Sequence, residues 1–163
     1  MATPPEAFVE QASSDLDAYD ALAASSLPCC HRLHYLQMWL EKLCKAYLWL
    51  PDTGTDDLRG RPAVVEKVLP RMIGEHWRRI GFEKRPDISA IRQICRQVDL
   101  LHPQIDDNGR RPDNVEYPWK GPSGSVVPAR WNFELVPRLY SNSGKLLLKA
   151  ARSLTQTPAV FIR

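Results

Sequence analysis

Cys29, Cys30, His31 and His34 crowd one short stretch of the chain. Cys30 and His34 are four apart, which places both on one face of a helix. Zinc needs about four converging donors, and no second ligand pair accompanies these. Small core cysteines and an inward, hydrogen-bonded histidine fit better, and no metal or cofactor is expected. Ser143-Gly144-Lys145 lacks the body of a phosphate-binding loop, so it reads as a helix cap. Between Arg71 and Arg96 stand seven bases against three acids, and 15 of the 22 basic residues are arginine. The forked guanidinium suits phosphate contact, so this stretch could serve RNA or another polyanion. The plainer reading is a solvated face turned toward an acidic first helix. The run Asn114-Val115-Glu116-Tyr117-Pro118-Trp119 follows Arg110 and Arg111. Such a set can stack bases, dock a partner protein, or simply cover the end of a helical bundle.

These residues need elements to position them. Leu33, Leu36, Leu40, Leu43, Tyr47 and Leu50 recur at steps of three and four. That predicts one helix over 27–50 with an apolar stripe. Tyr35, Met38, Trp39 and Trp49 lie off the stripe and are also large, so the helix should be surrounded by others. A first helix is expected over 5–24, with Phe8, Leu16, Tyr19 and Leu22 inward. A third helical region runs from Pro62 to Ile80, where Pro70 should kink or split it and Gly81 should close it. Asp87 caps a fourth helix carrying Ile88, Ile91, Ile94, Val98 and Leu101, which Pro103 stops. A last helix opens at Ser143-Gly144 and ends at Pro158.

Residues 103–137 hold six of the fourteen prolines and little helical period. Val115–Trp119 and Ser125–Phe133 are short β-prone runs, and they predict a small hairpin whose ladder Pro118 and Pro128 limit. The fold class is therefore all-α, a helical bundle with one proline-rich irregular or hairpin segment. A chain of 163 residues is one domain by size. No apolar run reaches the roughly 20 residues of a membrane helix. The N-terminus lacks a signal-peptide pattern and the four cysteines form no disulfide framework, so a cytoplasmic location is expected. The net charge of +3 divides into −5 before Arg32 and +8 from Arg32 onward.

The run from His31 to Leu48 resembles the signature helix of HEPN domains (higher eukaryotes and prokaryotes nucleotide-binding). Those commonly show a small or aromatic residue, glutamine, then Glu-Lys-x-x-Lys-Ala and an apolar residue. The matching residues are Gln37, Glu41, Lys42, Lys45 and Ala46. Read physically, Glu41 and Lys45 form an exposed i,i+4 ion pair. The resemblance implies a small helical bundle, often a homodimer. Many such domains are metal-independent ribonucleases of toxin–antitoxin and phage-defence systems; others bind nucleotides or partner proteins without catalysis.

The catalytic kind carries an arginine followed four to six residues later by a histidine. Arg96 and His102 fit this pattern, and so do Arg71 and His76. The histidine can take the proton of an RNA 2′-hydroxyl, and the arginine can stabilise the phosphorane. Neither pair shares a helix face, because five or six residues rotate by about 140° or 240°. The break at Pro103 lets His102 swing back, and the family's motif sits late in the bundle. Arg96 and His102 are therefore the expected catalytic pair, with Arg92, Arg110, Arg111, Tyr117 and Trp119 expected to bind RNA or nucleotide. The alternative is a non-catalytic helical adaptor that binds a partner protein through 110–133.

Overall fold

The computed structural model describes residues 2–49, 64–103, 114–121 and 123–162. Among them are six α-helices and one two-stranded antiparallel hairpin, an all-α bundle as expected. Helix α1 (Pro4–Ala23) starts with two prolines in its first turn, and the Thr3 N–H donates to the Glu6 carboxylate at 2.6 Å. A short connection folds α2 (Cys29–Leu48) back along it. Lys42 reaches Asp15 across this pair, and Arg152 holds Asp20 with two bonds of 2.6 and 2.5 Å.

Helix α2 is central, packed against at least four of the other five α-helices among the described residues. Leu36, Leu40 and Leu43 are fully buried, and so is Trp39 off their stripe. The Trp39 indole N–H donates to Thr155 at 2.9 Å, tying α2 to the last helix. The helix starts two residues later than expected, and Leu27 is 57% exposed. Leu50 lies outside the described residues.

Helix α3 (Val65–His76) runs unbroken through Pro70, so of the expected kink or split the split does not occur. One proline removes one backbone bond, while burial of Val68, Leu69, Met72 and Ile73 holds both sides. The start of α3 has no side-chain cap of its own. Asp99 supplies it from the end of α4 (Ile88–Asp99), accepting from the Val65 and Glu66 N–H groups at 3.1 and 2.8 Å. Asp87 caps α4 through the Ser89 and Ala90 N–H groups, as expected.

The proline-rich segment forms a smaller hairpin than expected. Strands β1 (Trp119–Gly121) and β2 (Gly124–Val126) pair over three residues each, with Lys120 opposite Ser125. The reason lies upstream. Asn114 accepts from the Glu116 and Tyr117 N–H groups and donates to the Tyr117 carbonyl, so residues 114–117 form a turn and not a strand. Two more helices close the bundle, α5 (Leu135–Leu139) and α6 (Asn142–Gln156). The cap of α6 is Ser141 and not Ser143: its hydroxyl accepts from the Gly144 N–H at 3.1 Å. A Cβ on Gly144 would lie 2.3 Å from the Arg138 carbonyl, so glycine lets α6 meet α5. No helix among the described residues is long and apolar enough to cross a membrane.

Candidate active site

The two arginine–histidine pairs have different surroundings. Arg92 and Arg96 are one turn apart on α4 and both are exposed. His102 is half-buried in the turn that follows α4, where its backbone N–H donates to the Asp99 carbonyl. The Val115 N–H donates to the Leu101 carbonyl at 3.2 Å, so the Asn114 turn is stitched beside His102. Tyr117 leaves that turn 61% exposed. Arg110 and Arg111 lie outside the described residues. Trp119, expected as an exposed base-stacking residue, is 7% exposed and packs edge-on against Trp131 at 5.4 Å. Strand alternation turns Lys120 outward and Trp119 inward, so Trp119 offers no face to a base. Trp131, at 36%, is the more exposed of the two indoles.

Arg71 and His76 converge on a third side chain. Tyr47, in the last turn of α2, projects onto the second half of α3. Its ring centroid lies 5.9 Å from the Arg71 guanidinium carbon and 6.5 Å from the His76 ring, which meets it edge-on. The Tyr47 hydroxyl donates to Glu75, and the Arg71 Nε–H donates to the other oxygen of that carboxylate at 2.8 Å. The Arg71 bond, and after it the Tyr47 bond, holds the Glu75 carboxyl below its ordinary pKa. Glu75 therefore stays ionised and fixes both groups.

A cleft of about 790 Å3 opens over Tyr47, Arg71, Glu75, His76 and Arg79. Phe161 and its neighbours from the end of the chain form its far wall. Arg79 is tied to that wall by a 2.8 Å bond to the Val160 carbonyl. Two guanidinium groups, one carboxylate, one imidazole and one phenol thus share one open site. Neither Arg96 nor His102 lines this cleft.

Gln37, Glu41 and Lys45 follow one another along α2. Gln37 donates to one Glu41 oxygen, and Lys45 pairs with the other at 2.5 Å. The expectation of an exposed ion pair is corrected here. The Lys45 and Glu41 side chains are 6% and 13% exposed, because α2 is packed on several sides. Burial, with Glu66 and Glu41 near by, raises the Asp99 pKa to about 6, although its two backbone bonds pull the other way. These residues are interior polar structure, and only their type was readable in the sequence.

The sulfur and imidazole cluster does not assemble. Cys29 is exposed and Cys30 is buried, and no group of three or more ligand-type side chains gathers among the described residues. His34 stands 3.6 Å from Glu116 and edge-on to Tyr35. No family model, curated protein or solved structure matches the chain. Sequence reasoning noted Arg71 and His76 but ranked them second. It had no signal for Tyr47 as their partner, since Tyr47 reads there as one more apolar residue of a stripe.

Proposed function

We propose that this chain is an RNA-directed helical module of HEPN-like kind, and that it cleaves RNA without metal in the Tyr47 cleft. The observation that carries this reading is the meeting of Arg71 and His76 on one tyrosine inside an open, arginine-bearing site. The His76 imidazole takes the proton of a ribose 2′-hydroxyl. The freed oxygen attacks the adjacent phosphorus, the bond from phosphorus to the 5′-oxygen breaks, and a 2′,3′-cyclic phosphate forms. The leaving oxygen recovers a proton from the imidazolium or from water. Arg71 and Arg79 offset the charge that builds on the phosphoryl oxygens. Glu75 positions Arg71 and does not touch substrate.

The test is cleavage of a defined RNA in excess chelator by the purified chain. His76→Ala is expected to lower the rate by about 10²–10⁴-fold, the usual contribution of a proton-transfer group. His102→Ala is expected to leave it within a few-fold. The reverse result moves the centre to the end of α4, with Arg92, Arg96 and Tyr117 as its surface. A homodimer is part of the same reading, and sedimentation that stays monomeric at high micromolar concentration removes it.

The adaptor reading has its own support. Tyr117, Val127 and Trp131 are large, apolar, exposed and close together in sequence. Absence of RNA cleavage by the wild-type chain, together with a partner protein lost on Tyr117→Ala, favours that reading instead.

A further inference from the structure

A second cleft, of about 380 Å3, lies where α1, the first turn of α2 and the α5–α6 corner meet. It uses none of the residues assigned above. Its walls are apolar: Leu33, Val136, Leu139 and Leu148. Two cations stand on it, Arg32 and Lys145, and no carboxylate lines it. Among the described residues neither cation is in an ion pair. The Arg32 guanidinium carbon lies 4.3 Å from the centroid of the Tyr19 ring, and its Nε is shut from solvent with no hydrogen-bond partner. Arg32 is therefore held by stacking and not by a carboxylate. Asp20, the acid next to Tyr19 in the chain, is engaged by both arms of Arg152.

We propose that this cleft binds a small amphipathic anion, a single carboxylate on a short acyl chain or one ring. The walls match an apolar body, and the two cations outside any ion pair among the described residues match the head group. The volume is near the lower end for ligand pockets, which suits a body of about ten carbons. A polyanion fits poorly, since its repeating charges would face four aliphatic side chains. Tyr140, 63% exposed on the rim, is placed to cover the bound body.

The experiment titrates the purified 163-residue chain with decanoate and, separately, with decanol, below the concentrations at which either aggregates. Decanoate is expected to bind saturably at one site and about tenfold or more tighter than decanol. Lys145→Gln, an exposed position that leaves folding intact, and Arg32→Gln should each weaken decanoate by about three- to tenfold and leave decanol unchanged. Cys29 is an exposed thiol on the cleft, so bound decanoate should slow its alkylation by iodoacetamide. Equal affinity for the two ligands, non-saturable uptake, an unprotected Cys29, or decanoate binding unchanged in both variants overturns the proposal.

Discussion

Arg71–His76 and Arg96–His102 obey the same spacing rule, and the first pair meets on one side chain, Tyr47. Both arginines are exposed on helices of twelve residues. His76 is the last residue of its own helix and leans on Tyr47. His102 lies past the end of its helix, with the Asn114 turn beside it. A spacing of five or six residues cannot place two side chains on one helix face. Convergence must then come from a third element. For the first pair that element is the end of α2, whose Tyr47 ring meets both side chains and whose hydroxyl shares the Glu75 carboxylate with Arg71. For the second pair, Tyr117 rises from the neighbouring turn, and neither Arg96 nor His102 lines the Tyr47 cleft. A short motif is a statement about sequence; a site is a statement about what packs over it.

The largest expected effect falls on the platform both pairs stand on. Leu40 is fully buried in the middle of α2, among side chains of several helices. Leu40→Ala should cost about 2–5 kcal/mol of stability, the lost transfer energy plus the cavity left behind. Denaturant melts measure it. If α2 were a peripheral helix carrying only the Tyr47 side, the loss would fall below half a kcal/mol.

The same helix marks how far the sequence could be read. The stripe of Leu36, Leu40 and Leu43 was visible because burial on one face has a period, and so was its second apolar side through Trp39. Asp87 as a cap was visible because capping is local. The burial of Lys45 and Glu41 was not, since an ion pair has the same i,i+4 spacing inside or outside. The split allowed for at Pro70 does not occur, because the burial of the residues around it outweighs the one backbone bond lost. Trp119 misled because the side a residue faces in a three-residue strand depends on where the strand begins. The site was legible as residue types, not as a place. Arg71 and Tyr47 are far apart in sequence, and no periodicity links them.

The next effect acts on the residue that joins the two pairs. Asp99 sits three positions beyond Arg96 and caps the start of the helix that carries Arg71 and His76. Its folded pKa is raised to about 6 from an ordinary value of 3.8. The folded state therefore holds this proton more tightly than the unfolded chain. The stability it contributes is complete below about pH 4 and is lost as pH rises through about 6. A shift of that size on a buried group corresponds to roughly 2–3 kcal/mol. Asn cannot titrate, so Asp99→Asn should gain on wild type by about that amount between pH 4 and pH 7. Parallel denaturation at the two pH values reads the difference. An identical pH profile for both proteins would mean Asp99 does not titrate in this window.

The smallest effect cuts most finely between the two pairs. Tyr47→Phe keeps the ring against Arg71 and His76 and removes only the hydroxyl that donates to Glu75. The site is open to water, so the lost bond should cost only about 0.5–1 kcal/mol of stability. Glu75 would keep its bond to Arg71, the larger of the two causes that hold its carboxyl down. Its pKa should therefore move only part of the way back toward the ordinary value, which carbon-detected titration of the side chain can follow. RNA cleavage separates two roles for the hydroxyl. A positioning role predicts a rate loss under about tenfold, because the ring still orders both neighbours. A proton delivered from the phenol to the leaving oxygen predicts a loss of about 10² or more. The same substitution should leave untouched any activity that belongs to Arg96 and His102, since neither lines the Tyr47 cleft. An unchanged rate in Tyr47→Phe, combined with an unchanged rate in His76→Ala, would return the second pair to first place.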